Sequence, residues 1–296
     1  DAVADAPVAP TIQKGIFAFG YTSSVQSMSN LVTSAGVIGT DVTGVGTARF
    51  YIGSTSYGAD KAIFAYGYQN ATTTYVSMSN LVSNSGVVAS DVTGVGTVRK
   101  YLAAARYGTD KAIFAYGDNA STNLSMSNLV SNSGVIAEDV TGVGTARAGL
   151  AASSYGGDKA IFAYGYTGSQ SNLVNNSGVI AADVTGVGTA RYGLAAASYG
   201  GDKGIFAFGF SSGNKSMSNL VSNSGVIASD VTGVGTARQQ LAATNYGGDK
   251  AMFAYGYVDA TVSLKNLVSN SGVVASDVTG VGTERRLLGA AGYALG

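Results

Sequence analysis

The sequence predicts an all-β fold, a six-bladed β-propeller with four antiparallel strands per blade, closed by a blade that the two chain ends share. Three observations lead there. One β-rich unit recurs six times, 44 to 50 residues apart. Each unit holds four short strand-like runs between turn signals. The repeat is also cut, so that the chain opens on a second strand and ends on a first, which suits a ring better than an open stack.

The string DVTGVGT marks the period and begins at Asp41, Asp91, Asp139, Asp183, Asp230 and Asp277. An arginine stands two positions beyond each string, at Arg49, Arg99, Arg147, Arg191, Arg238 and Arg285. A lysine opens the next segment, at Lys14, Lys61, Lys111, Lys159, Lys203 and Lys250.

Within a unit the first predicted strand is LAAASYG, as at Leu194 to Gly200, whose small side chains suit the crowded axis of a ring. The second is KAIFAYG, as at Lys111 to Gly117. Its Phe and Tyr alternate with smaller residues, which predicts one large and one small face for blades stacked against each other. The third is SNLVSN, as at Ser218 to Asn223, and the fourth VIASDV, as at Val226 to Val231. Between them lie Gly-Gly-Asp, a variable polar loop, Asn-Ser-Gly and Thr-Gly-Val-Gly-Thr. Gly and Asn supply the positive φ that tight turns need. A 3.6-residue apolar period is absent, and charges for a solvated helix face are few.

The expected organisation is an arm over residues 1–10 and one domain over 11–296. Its blades run about 285–296 plus 11–47, then 49–97, 99–145, 147–189, 191–236 and 238–283. The chain starts at Asp1 and not Met, consistent with a processed start.

The order Arg-x-x-Leu-Ala-Ala-Ala, turn, Lys-Ala-Ile-Phe-Ala-Tyr-Gly, loop, Asn-Leu-Val, turn, Val-Ile, Arg resembles the kelch motif over residues 11 to 296. Kelch units usually carry Gly-Gly after the second strand, where this chain has Gly67–Tyr68 and Gly165–Tyr166. They usually carry Trp at the fourth strand, where Val37 and Ile38 stand. The wording YGGDKAIFAYG…NLVSNSGV…DVTGVGTAR is also similar to glycine-rich repeats of bacteriophage structural and tail proteins. These resemblances imply a propeller scaffold in an extracellular or virion setting.

Composition removes several functions. The chain has no His and no Cys, hence no imidazole base, no thiolate nucleophile and no usual zinc or copper ligand. Its 17 basic residues balance 17 acidic ones, without the basic excess of a nucleic-acid binder. No apolar run approaches the ~18 residues of a membrane-spanning helix. The acids outside the repeat positions (Asp1, Asp5, Asp118, Glu138, Asp259 and Glu284) are scattered along the chain, and the sequence forces no two of them together, so no catalytic carboxylate pair is implied. A non-enzymatic protein without a cofactor is expected.

The repeated Asp and Arg bracket a glycine-rich loop. They read as structural charges, each Asp accepting loop N–H groups and each Arg pairing with a nearby carboxylate. Calcium is the alternative for DVTGVGT, weakened because the string offers one carboxylate where a calcium loop needs several. A phosphate-cradling reading of GVG fails for want of a following Lys-Ser/Thr.

Variation marks the candidate binding face. The loop after the second strand and the pair after each arginine differ between copies, while the YGGD and SNSG turns do not. Both variable segments should emerge on one face of the ring. Candidate residues there are Phe50, Tyr51, Tyr75, Lys100, Tyr101, Asn119, Tyr192, Gln239 and Gln240. A protein partner or a surface glycan is the expected ligand: an adhesive or structural propeller, with a lectin as the alternative.

Overall fold

The structure, a computed structural model, describes residues 13–69 and 74–294. The arm expected over 1–10 lies outside the described residues, as does part of the second variable loop. Among the described residues the fold is all-β, with six three-stranded antiparallel sheets and a short hairpin, Phe210–Ser211 with Gly213–Asn214. No described helix is long and apolar enough to cross a membrane.

Each sheet has an inner, a middle and an outer strand. Inner strands are Gly53–Tyr57, Ala103–Tyr107, Ala151–Tyr155, Ala195–Tyr199, Ala242–Tyr246 and Gly289–Tyr293. Each packs beside the next, and Gly289–Tyr293 lies beside both Ala242–Tyr246 and Gly53–Tyr57, so the arrangement is propeller-like. Small residues make this approach possible, since Ala, Ser, Thr and Gly fill most inner-strand positions.

Four sheets are built from consecutive strands, a fifth (Ala195–Tyr199, Lys203–Ala207 and Ser218–Val221) has the short hairpin between its second and third strands, and the sixth joins the two ends of the chain. There Gly289–Tyr293 pairs with Lys14–Tyr21, Ile16 opposite Ala291, and Val25–Val32 completes the sheet. Two rings of backbone hydrogen bonds run round the axis. In one, the N–H of Tyr51, Tyr101, Gly149, Gly193, Gln240 and Leu287 each donates to the carbonyl of the preceding member, and Tyr51 closes onto Leu287. In the other, Gly58 donates to Asp110, Gly108 to Asp158, Gly156 to Asp202, Gly200 to Asp249, Gly247 to Gln13 and Ala294 to Asp60.

The middle strands do not present one large and one small face. In the sheet joining the chain ends, Phe17 packs toward the Met252–Tyr255 side, while Ile16, Ala18 and Phe19 pack toward the Ala62–Phe64 side. The cause is a β-bulge: the register shifts between Ala18 and Gly20, and Phe19 adopts a φ of 62°. The extra residue turns the second aromatic onto the opposite face. Every blade therefore offers one ring to each neighbour. The contacts Phe17–Tyr255, Phe19–Phe64, Tyr66–Phe114, Tyr116–Phe162, Tyr164–Phe206 and Phe208–Phe253 close around the molecule at 5.3–5.5 Å. Each buried ring contributes about 1.5–3 kcal/mol by area, and its edge or tilted geometry suits the aromatic quadrupole.

The expected fourth strand is also corrected. VIASDV makes two isolated bridges to the outer strand and no continuous ladder, as with Val221↔Ile227 and Ser218↔Val231. An extra residue between those bridges bows the chain outward. The buried Asn219 fills the gap, its Nδ2 donating to Ala228 O at 3.0 Å and to Asp230 at 2.9 Å. The same asparagine, at Asn30, Asn80, Asn128, Asn172 and Asn266, does this in every copy.

Candidate functional site

The repeated charges form a belt that joins one repeat to the next. Arg147, fully buried, donates from Nε to Tyr164 O, from Nη1 to Thr145 O and from Nη2 to Asn172 Oδ1, at 3.1, 3.2 and 2.6 Å. Its guanidinium lies 4.2 Å over the Tyr116 ring of the blade before. Its carboxylate is Asp183 of the following repeat, at 3.8 Å, and not Asp139, which opens its own string. Asp183 in turn accepts from the hydroxyl and N–H of Thr145 and from Asn172. The pairs Arg49–Asp91, Arg99–Asp139, Arg191–Asp230, Arg238–Asp277 and Arg285–Asp41 repeat this handover and return it to the start. Two copies relax the pattern, leaving Asn80 Oδ1 and Arg99 Nε without a hydrogen-bond partner among the described residues. Nothing in the surrounding residues explains that difference.

Desolvation alone would raise the Asp183 carboxyl. Hydrogen bonds from Thr145 and Asn172, with Arg147 beside it, outweigh that and hold it below its usual value. The other five carboxyls of the belt shift the same way. The folded pKa therefore lies below the unfolded one, so the belt's contribution is complete above the ordinary aspartate value of about 3.9 and is lost as pH falls through the depressed folded values. Thermal melts from pH 7 to pH 2 should show a plateau above about pH 4.5 and then a steep loss. A loss centred between pH 5 and 7 would contradict this. These carboxylates are engaged by Thr, Asn and Arg, and no group of three His, Cys, Asp or Glu among the described residues could hold a metal ion.

The candidate binding residues gather on the face opposite the YGGD turns. The pair after each arginine bridges the start of the variable loop, as in Phe50↔Tyr68, Lys100↔Asp118, Tyr192↔Phe210 and Gln239↔Tyr257. Tyr51, Tyr101 and Gln240 belong to the backbone ring at the axial mouth. All six ring positions have positive φ, between 57° and 71°. Glycine serves at two of them, Gly149 and Gly193. The other four carry Tyr51, Tyr101, Gln240 and Leu287 in a conformation costing roughly 1–2 kcal/mol per non-glycine residue.

Those side chains make the mouth asymmetric. An aromatic arc runs from Tyr51 to Tyr101 (3.8 Å), Tyr166 (5.7 Å), Tyr192 (4.3 Å) and Phe210 (5.5 Å). Gln240 and Leu287 complete the cavity wall. The Gln240 Oε1 atom is buried there and, among the described residues, has no hydrogen-bond partner. Burial, followed by contact with Tyr51, pushes the Tyr101 hydroxyl far above its ordinary value, so it stays a neutral donor.

The remaining candidates play different parts. Phe50 is buried, 8 % exposed, and supports Tyr51 from beneath at 4.6 Å, so it offers no contact surface. The Lys100 ammonium lies 4.7–5.5 Å from the ring centroids of Tyr51, Tyr68, Tyr75 and Tyr101. Tyr75 donates to Asp118 at 3.1 Å. Its hydroxyl is pushed up to about 12, by burial first and Asp118 second. Asn119 closes its own loop by accepting from the N–H groups of Ser121 and Thr122. Gln239 is half-buried beside the mouth.

Three residues at this face escaped the candidate set. Tyr166, 45 % exposed, bridges Tyr101 and Tyr192. Leu287 is a ring member. Arg286 stacks on Tyr257 at 4.3 Å. Tyr166 stands directly after the AYG of its repeat, a position that is aromatic in five of six copies and is the available sequence signal. No family model matches this chain, and no curated protein matches it.

Proposed function

We propose that the protein is a non-enzymatic adhesive propeller, six-bladed and kelch-like in plan, that holds a partner at the tyrosine-lined mouth of its variable face. The observation that carries this is the mouth's backbone ring. Its conformation favours glycine, and the chain uses glycine there twice. At the other four positions it keeps Tyr, Tyr, Gln and Leu at a cost in stability. Local strain of this kind marks functional positions. Tyrosine gives rigid contact area at little entropic cost, and the asymmetric arc distinguishes orientations that a six-fold face cannot.

One observation favours a saccharide as the group bound. Neighbouring tyrosine faces offer stacking surface, and Gln240 Oε1, without a partner among the described residues, is an acceptor for a hydroxyl hydrogen bond. The resemblance to phage tail repeats supports a virion setting, with the even YGGD face anchoring the ring to a larger assembly.

A glycan array tests the site. The wild-type protein should bind a subset of glycans, and the Tyr51→Ser/Tyr101→Ser/Tyr192→Ser variant should bind them about tenfold or more weakly, the order expected for lost aromatic anchors. Its fold should remain, judged by circular dichroism. Binding that survives those changes but fails when the Asn84, Asn132 and Asn223 turns are altered would move the site to the opposite face. A silent array would remove the saccharide reading and leave a protein partner.

A further inference from the structure

The opposite end of the axial channel carries a feature that the mouth does not explain. Side chains alternate along the inner strands, so the residue before each closing tyrosine lies beside the channel. Around the ring these are Ser56, Arg106, Ser154, Ser198, Asn245 and Gly292. Five are small or neutral, and the sixth is an arginine.

Arg106 is unlike the other arginines. Each belt arginine has an aspartate, and Arg286 has tyrosine rings. Arg106 donates from Nη1 to Thr109 O at 3.1 Å, and among the described residues it forms no ion pair and no ring contact. The nearby turn carboxylates are engaged elsewhere. Asp110, on its own turn, accepts from Asn132 of the outer turn, and Asp158, on the next turn, whose carbonyl accepts from Gly108 N–H, is held by Lys159. The channel wall adds neutral donors: the Asn245 amide, which reaches Ser198 Oγ at 3.2 Å, and the Ser56 and Ser198 hydroxyls. Burial pulls the Arg106 pKa down with no carboxylate to oppose it.

An uncompensated, partly desolvated guanidinium is costly, and an oxyanion is the group that relieves it. Its planar fork matches two oxygens of one carboxylate, phosphate or sulfate. We infer that the channel end at Arg106 is a binding site for one small oxyanion, with Ser198 and Asn245 as neutral donors across the axis. The inference stands on different residues from the tyrosine mouth and does not depend on it. The oxyanion comes either as a free tetrahedral ion or as a carboxylate, such as an acidic side chain entering along the axis.

The test uses the intact chain and inorganic phosphate, with N-acetylaspartate as the carboxylate probe. Isothermal titration should give one phosphate or one N-acetylaspartate per wild-type chain. Thermal midpoints should rise saturably above a chloride control of equal ionic strength. Arg106→Ser places the residue that three other blades already use, and should shift the half-saturating concentration at least about tenfold, as expected for loss of charge-assisted bonds. Response to phosphate alone identifies a tetrahedral ion; response to N-acetylaspartate identifies a carboxylate. No saturable binding of either probe by the wild type overturns the site. So does an Arg106→Ser variant that responds like the wild type.

Discussion

Arg147→Met is expected to lower stability by about 3–5 kcal/mol, the range for removing one partner from a buried charged network. The side chain is fully buried, and its loss leaves Tyr164 O and Asn172 Oδ1 without their donor. It also removes the cation from the face of Tyr116. Methionine fills the volume, so the loss reports the polar network and not a cavity. Arg147→Lys should recover little, because an ammonium cannot stack flat while reaching three acceptors in a plane. Asp183→Asn should cost about 1 kcal/mol, since that carboxylate is 32 % exposed and its Coulomb pull is screened. Urea melts of the three variants check the order. Equal small losses from Arg147→Met and Asp183→Asn would mean that the belt is a surface ion pair and not a buried strut.

Ending the chain at Arg286 is expected to cost more, on the order of 5 kcal/mol, taken from the burial of Leu288 and Tyr293 and the lost ladder bonds. The removed segment supplies the inner strand opposite Lys14–Ala18, and Leu287, which joins Gln240 to Tyr51 in the backbone ring. It also supplies the Ala294 N–H that donates to Asp60 in the second ring. The truncated chain would expose unpaired edges on Lys14–Ala18 and a gap between two neighbouring inner strands. Its thermal midpoint should fall by about 10 °C or more, and it should aggregate at concentrations where the full chain does not. An unchanged midpoint would mean that the shared sheet contributes nothing.

Much of this plan is legible in the sequence, because repetition exposes it. Spacing alone separates the repeated Asp, Arg and Lys from the variable loops, and the split unit at Lys14 and Leu287 foretells the shared sheet. The fourth strand misleads because VIASDV has the composition of a strand, whereas the partner of Asn30 and its equivalents is decided by one extra residue. That asparagine stands before Leu-Val in all six copies, yet its role depends on the outward bow that brings Asp41 within 2.8 Å of it. The bulge at Phe19 is hidden for a similar reason, since strict alternation assigns Phe17 and Phe19 to one face. At the mouth, the variable pair after each arginine is visible as variable. Nothing local reveals that its second member adopts positive φ, or that Tyr166 meets Tyr101 and Tyr192 from two other blades.

The closed ring with one shared sheet is tested most directly by native-state hydrogen exchange. If the chain ends complete the ring, the paired amides of Lys14–Ala18 and Gly289–Tyr293 should exchange with the same opening free energy as those of Ala195–Tyr199 and Lys203–Ala207, near the global value. Exchange of the shared sheet through a low-energy opening, several kcal/mol below the other blades, would show an open array that frays at its ends, contradicting the closed ring.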